Sequence, residues 1–400
     1  MENSRIDDLI AVTTLVRSGQ ATNRGEISRQ LGLRSTTVSD LVGQLISCGV
    51  LHENTARGRG KGRPAAVLSL NQLRLGAVFV TVTDQTLVAS AVDLDLRVLG
   101  QQTAAPPQDT STEAMTEVLR RLVADTAALF APQVELCAVV CSLSGLLDVG
   151  RLTWCVSARW PEMRDLDLGD ALDEFDCPVW LVRNLDAELA GRRISENHGP
   201  GETALLLHWG HGIGAAYAAG GDVVNRDRGR FCEIGHWRLG NGRDVRCTCG
   251  NTDCLETVAA LWSIRPALLT EFPELPYSEG AIAAHLARMD LRDSAVVEDA
   301  LVEVLRLTAN LCRLLFPDRV ILTGPFVQNP EVFSRFVQSL EKAPMLRSHD
   351  KVRVSVSDCS HAPELAGALR EPFAVALRTL LEQGDTVPTR PARRAQAPVK

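Results

Sequence analysis

Three cysteines and a histidine within nineteen residues limit what this chain can fold into more than any other feature. The stretch reads Cys247-Thr-Cys249-Gly-Asn-Thr-Asp-Cys254-Leu-Glu256 and is preceded by Glu233-Ile-Gly-His236. Three thiolates and an imidazole at this spacing can close a tetrahedral zinc site. Gly250 lets the backbone turn back so that Cys254 meets the same ion. The surroundings are polar and glycine-rich, unlike those of cysteines used as small core residues. Four protein ligands, His236, Cys247, Cys249 and Cys254, leave no open coordination position, so the expected Zn2+ is structural. The other eight cysteines are scattered, mostly in apolar runs, and read as buried hydrophobes. An odd total of 11 argues against a disulfide framework. The acidic start, Met1 to Asp8, lacks the basic-then-apolar order of a signal peptide, and the expected location is cytoplasmic.

The first 72 residues read as a separate head. Ile6, Leu9, Ile10, Val12, Thr13 and Val16 have helical spacing over 5–18. Thr22-Asn23 caps a short helix over Arg24–Leu31, Gly32-Leu33 turns, and Ser35 is expected to cap a third helix. That helix presents Thr36, Thr37, Ser39 and Asp40 near its start, with Val38, Leu41, Val42 and Leu45 facing inward, and Gly49 ends it. A short helix, a glycine-bearing turn and a helix opening on small polar residues form the helix-turn-helix pattern. Arg34, Ser35, Thr36, Thr37 and Ser39 are then placed to reach DNA. Strands around Val50–Glu53 and Ala66–Leu70 flank a loop in which glycine alternates with Arg57, Arg59, Lys61 and Arg63. Such a loop is either a solvated hairpin tip or a wing that lies on phosphates or enters a minor groove. Its position directly after a helix-turn-helix favours the wing.

Charge supports this division. Residues 1–75 carry ten Lys/Arg and six Asp/Glu, whereas the rest carries 32 and 43. A basic head on an acidic body suits DNA binding by the head, because phosphate neutralisation supplies most non-specific affinity.

From Leu75 strands alternate with helices. Apolar β-rich runs occur at Ala77–Val82, Leu87–Leu94, Glu135–Cys141, Val179–Val182, Ala204–His208 and Val320–Leu322. Helical periodicity occurs at 113–130, 186–196, 294–316 and 364–382, and Gly100–Thr112 reads as a loop. The pattern predicts an α/β body over 73–383 with two lobes about a cleft, followed by a Pro/Ala/Arg-rich tail, 384–400, expected to be disordered.

Glu-x-Gly-His followed by Cys-x-Cys-Gly-x-x-x-Cys-Leu-Glu resembles the signature of the ROK family of repressors and sugar kinases. With the winged helix-turn-helix, the chain looks like its repressor branch, similar to the repressors of xylose and N-acetylglucosamine utilisation. Trp209-Gly-His-Gly-Ile-Gly-Ala215 resembles the family's second glycine-rich loop, with His211 where threonine is usual, and Ser144-Gly145 resembles its Pro-Gly turn. The resemblance implies a two-lobed, hexokinase-like ROK fold in which Glu233, His236 and Glu256 contact sugar hydroxyls, with His236 bridging zinc and ligand. Glu256 can equally be a carboxylate favoured by a helix dipole.

The pattern breaks where kinase chemistry would reside. The phosphate-cradling Asp-x-Gly-Gly-Thr is replaced by Thr81-Val-Thr83-Asp84-Gln85-Thr86, without glycines and with an anion that repels phosphate. Aligned on the helix that follows, Arg183 stands for the family's Asn and Asn184 for its Asp base, unless a slip of register brings Asp186 to the site. An amide cannot take a proton from a hydroxyl. Arg183 brings charge to the pocket, implying an acidic or phosphorylated effector or a partly filled pocket, unless it pairs with Asp186 or Glu188. The expectation is a non-enzymatic regulator, most simply a repressor, binding pseudo-palindromic operator DNA as a homodimer or homotetramer. The alternatives are a sugar kinase with an added DNA-binding head and a regulator without a ligand.

Overall fold

A computed structural model describes residues 2–55, 66–196, 198, 199, 201–240, 245–342 and 352–383. The expected wing residues Arg57, Arg59, Lys61 and Arg63 and the tail 384–400 lie outside the described residues.

The head is α1 (Glu2–Arg17), α2 (Arg24–Leu31), α3 (Ser35–Ser47) and an antiparallel hairpin of β1 (Leu51–Thr55) and β2 (Ala66–Leu70). Asn23 Oδ1 accepts from the Glu26 amide at 3.0 Å, and Glu26 returns its carboxylate to the Thr22 amide at 2.6 Å. This reciprocal cap fixes where α2 begins. The cap of α3 differs from expectation. Arg34, in extended backbone, is its N-cap without a side-chain bond, and Ser35 is the first helical residue. Ser28 Oγ instead donates to the Leu33 carbonyl at 2.6 Å, so the turn is held from α2. Val38, Leu41, Val42 and Leu45 are buried as expected.

The body has two sheets with one topology. The first is built from β3 (Leu75–Thr83), β4 (Thr86–Asp93), β5 (Val98–Ala104), β6 (Glu135–Leu143) and β10 (Val179–Arg183) in the order β10-β6-β3-β4-β5. Between its strands run α4 (Thr112–Ala127), a small sheet of β7 (Leu146–Asp148), β8 (Thr153–Val156) and β9 (Arg164–Asp167), and α5 (Leu168–Ala171). After α6 (Asn184–Ser195), the second sheet takes β11 (Ala204–Trp209), β12 (Ile213–Ala219), β13 (Asp222–Val223), β14 (Arg319–Thr323) and β15 (Arg353–Val356) in the order β13-β12-β11-β14-β15. Each sheet is thus an antiparallel three-strand meander extended by two parallel strands. The second lobe adds α7 (Glu256–Ala259), α8 (Leu261–Glu271), α9 (Glu279–Leu286), α10 (Ala295–Leu315) and α11 (Pro330–Lys342), and α12 (Ala362–Gln383) ends the described chain. This two-lobed α/β body is the architecture expected from the alternating sequence.

Part of the expected Gly100–Thr112 loop is strand β5. It is an edge strand whose residues are half-buried or exposed, and Gln101 Nε2 donates to Ser90 Oγ across the pair at 2.9 Å. Its polar composition serves solvent on one side, which gives it the texture of a loop. The scattered cysteines are also less uniform than expected. Cys137, Cys141 and Cys312 are buried, but Cys359 is exposed and the remaining four are half-buried.

Two long-range features set the positions of everything else. First, α12 and α6 cross backbone to backbone. A Cβ on Gly191 would lie 1.9 Å from the Pro363 carbonyl oxygen, and one on Gly367 would lie 1.9 Å from that of Ala187. At the near end of α12 the buried Glu364 accepts from Thr81 Oγ1 (3.1 Å) and Ser142 Oγ (2.7 Å) of the first sheet. Second, the far end of α12 enters the head. Phe373, Leu377 and Leu381 share one buried cluster with Leu9, Val12, Ile27, Leu41 and Leu45 of the head and with Ala77 and Phe79 of β3. Arg378 adds an ion pair to Asp7 on α1 at 2.6 Å.

Candidate functional site

His236, Cys247, Cys249 and Cys254 converge although their backbones belong to three separate turns. The segment after His236 runs antiparallel to Cys254 through an Arg238–Cys254 bridge and the Leu239 amide on the Asp253 carbonyl at 2.8 Å. The Cys247 amide donates to the Asn251 carbonyl at 2.8 Å, and Gly250, with φ 94°, closes that turn. The four ligand atoms all lie within 4.8 Å of one another. Cys249 Sγ is 3.4 Å from Cys254 Sγ, and Cys247 Sγ is 3.3 Å from His236 Nδ1. Ligand atoms about 2.0–2.3 Å from one zinc ion in tetrahedral array stand a little under 4 Å apart, so the donor set fits such an ion. Nδ1 is the ring nitrogen turned to the thiols, which leaves Nε2 for the opposite side.

Glu256 follows the cluster directly as the first residue of α7 and is buried. Its Oε1 accepts from the Ile213 amide at 3.1 Å and its Oε2 from Trp262 Nε1 at 3.2 Å. The carboxylate approaches so closely that a Cβ on Gly212 or Gly235 would fall within 2.9 Å of Oε1. Gly212 and Gly235 are therefore clearances for Glu256.

Arg183, at the end of β10, is buried with its charge committed. It donates to Asp186 Oδ1 at 3.1 Å and to the Ala215 carbonyl at 2.8 Å, and its Nε stands 3.5 Å from Glu233 Oε1. The pairing with Asp186 is the one found, while Glu188 pairs with Arg192 at 2.9 Å. Asp186 is fully buried, and its Oδ2 has no protein partner. Burial lifts its carboxyl to about 6 against the opposing pull of Arg183. Burial also raises Glu233, again opposed by Arg183 and by His236. Asn184, half-buried, opens α6 beside this group. Arg183 thus faces two carboxylates, Asp186 and Glu233, and its charge is more than met. The family resemblance points to Arg183, Asn184, Glu233, His236 and Glu256, but nothing in the sequence reveals that Arg183 ties Asp186 to Glu233.

On the head, Arg34, Ser35, Thr36 and Ser39 are exposed at the start of α3 and Thr37 is half-buried, on the side opposite the buried Val38, Leu41 and Leu45. No helix among the described residues is long and apolar enough to cross a membrane.

The profile of the ROK family matches residues 80–370. The DNA-binding transcriptional repressor Mlc of Escherichia coli (strain K12) is 18% identical over 90% of this chain and 91% of its own length. A putative xylose repressor of Caldicellulosiruptor sp. is 23% identical over 88% and 92%. Among solved structures, a ROK family transcriptional regulator described as a homologue of E. coli Mlc superposes with a TM-score of 0.73 at 20% identity, covering 96% of this chain and all of that one. A ROK glucokinase from Streptomyces griseus, in complex with glucose and AMPPNP, reaches 0.54 at 18% identity over 73% of this chain. The kinase match leaves out about a quarter of the chain, whereas the regulator match spans nearly all of it. The chain belongs to the ROK family.

Proposed function

We propose that the protein is a transcriptional repressor that binds operator DNA through residues 1–72, with residues 73–383 as a regulatory body. The observation that carries this reading is the exposed, polar, Arg34-led start of α3, set on a buried apolar face. The relatives named repressors, matched over about nine-tenths of both chains, support it. One head reaches one half-site, so a homodimer or homotetramer gains by presenting two heads at fixed spacing. Salt titration of the full-length chain on its operator tests the assignment. Neutralising Arg57, Arg59, Lys61 and Arg63 should flatten the slope of log affinity against log salt by about 0.9 for each phosphate left without its cation. An unchanged slope removes the wing from the interface.

His236, Cys247, Cys249 and Cys254 would hold one zinc ion, which supplies a fixed cross-link and no chemistry of its own. A metal-held imidazole keeps its second nitrogen in a set direction. Together with the half-exposed Glu233, it offers a hydrogen-bonding face suited to hydroxyl groups. With Arg183 matched by Asp186 and Glu233, the reason to expect an acidic effector falls away, and a neutral polyol suits the face better.

The chain is proposed to lack phosphoryl-transfer activity. Support comes from the glycine-free turn at Thr83–Thr86 and from an amide, Asn184, where a base is required. Incubation of the pure protein with ATP and hexoses, amino sugars or pentoses should release no ADP above the protein-free control. Turnover that co-purifies with the chain and is abolished by Asp186→Asn overturns this reading.

A further inference from the structure

The β3–β4 turn and the start of α9 belong to different lobes and meet at one carboxylate. Asp84, held at φ 55°, accepts from the Glu279 amide through Oδ1 at 2.8 Å. Glu279 Oε1 accepts from the His211 amide at 2.6 Å, and Oε2 is 3.5 Å from His208 Nε2. The Arg159 guanidinium, from the loop after β8 in the first lobe, stands 3.8 Å from Oε1. A Cβ on Gly210 would fall 2.7 Å from Oε2 and 2.5 Å from His208 Nε2, so the turn is cut to fit this carboxylate. An amide, an imidazole and a guanidinium converging on one point are a donor set for an anion. Burial alone pushes the Glu279 carboxyl up, but His208, Arg159 and the His211 amide outweigh it and hold it at about 2.

We propose that His208, Arg159 and the His211 amide form an anion seat occupied by the chain's own Glu279, and that this occupancy, with Asp84, clasps the two lobes shut. Asp84 and Arg159 reach across from the first lobe, while His208 and His211 hold Glu279 within the second. A free oxyanion that displaced the carboxylate would keep Arg159 joined to His208 and the His211 amide but release the Glu279 side chain, leaving the Asp84 bond to the Glu279 amide as the tie to α9. The clasp stands independently of whether the head binds DNA.

Full-length Glu279→Ala tests the seat, with inorganic phosphate and acetate as probes. The variant should melt several degrees below the parent, and 10–50 mM of either anion, on the order of a weak single-site affinity, should restore part of the loss. The parent should gain no more than it does from chloride at equal ionic strength. Glu279→Gln fills the seat without charge, so it should melt lower but show no anion rescue. Equal gains in parent and Glu279→Ala, or no rescue of the latter, overturn the seat. The clasp is read separately from the distance between labels attached by non-thiol chemistry at Gln85 and Glu274. In Glu279→Gln that distance should lengthen or its distribution broaden. Should Glu279→Ala fail to fold, this measurement decides alone, and an unchanged distribution overturns the proposal.

Discussion

Cys254→Ser protein should contain no zinc where the parent contains about one ion per chain, and it should melt far below the parent. Cys254 is fully buried and sits at the crossing of the His236 and Cys247 segments. Loss of one thiolate leaves three ligands and breaks the cross-link among turns that have little apolar packing of their own. Structural zinc contributes about 10–16 kcal/mol in peptides that fold around it, and even a fraction of that is comparable with the roughly 5–15 kcal/mol margin of a folded domain. The damage should spread to Glu256, two residues on, and so to the Ile213 amide that it holds. Cys312→Ser is the control. It alters an equally buried thiol outside the cluster, so it should cost stability but keep the metal. Elemental analysis and thermal melting of the three proteins check this. Zinc retained by Cys254→Ser, or absent from a parent prepared without chelators, rules the site out.

Replacing Gly367 or Gly191 by alanine should destabilise the protein by about 4 kcal/mol or more, an effect in the tail of what single substitutions do. Glycine-to-alanine changes inside helices usually gain about 0.5–1 kcal/mol, so the sign itself is diagnostic. At both positions the new methyl meets a backbone carbonyl at 1.9 Å, and no side chain can rotate away. The helices must separate, which draws Glu364 from Thr81 and Ser142. Gly43, exposed in α3 with nothing within 4 Å of an added methyl, provides the contrast. Gly43→Ala should be neutral or stabilising. Denaturant unfolding of the three variants separates these outcomes, and a Gly367→Ala midpoint near the parent's refutes the close crossing.

Legibility follows sequence separation. The helices of the head, the inward set from Val38 to Leu45 and the four-residue metal cluster are readable because period, caps and ligand spacing are local properties. The strand at Val98–Ala104 escapes such a reading, since an edge strand with polar faces lacks the alternation that marks a half-buried one. Ser35 reads as a cap on residue preference alone, whereas Ser28, five residues before Leu33, is the hydroxyl that holds the turn. The Asp84–Glu279 and Thr81–Glu364 bonds join residues 195 and 283 positions apart, and nothing periodic marks either end. The same holds for Gly191 and Gly367, each unremarkable until the other helix is in place.

The buried cluster that α12 shares with the head bears on how such a protein can be divided. Leu9, Val12 and Leu41 pack in the same apolar body as Phe373, Leu377 and Leu381, so a cut near residue 72 would leave two raw faces where one sealed interior had been. Melting should accordingly be a single cooperative event across the whole chain, with no early loss of α1–α3. A chimera that carries this head onto another scaffold would have to bring the last turns of α12 along with it. The fit of the first three helices is therefore tied to the far end of α12, and changes near Leu377 should decide which heads the body can accept.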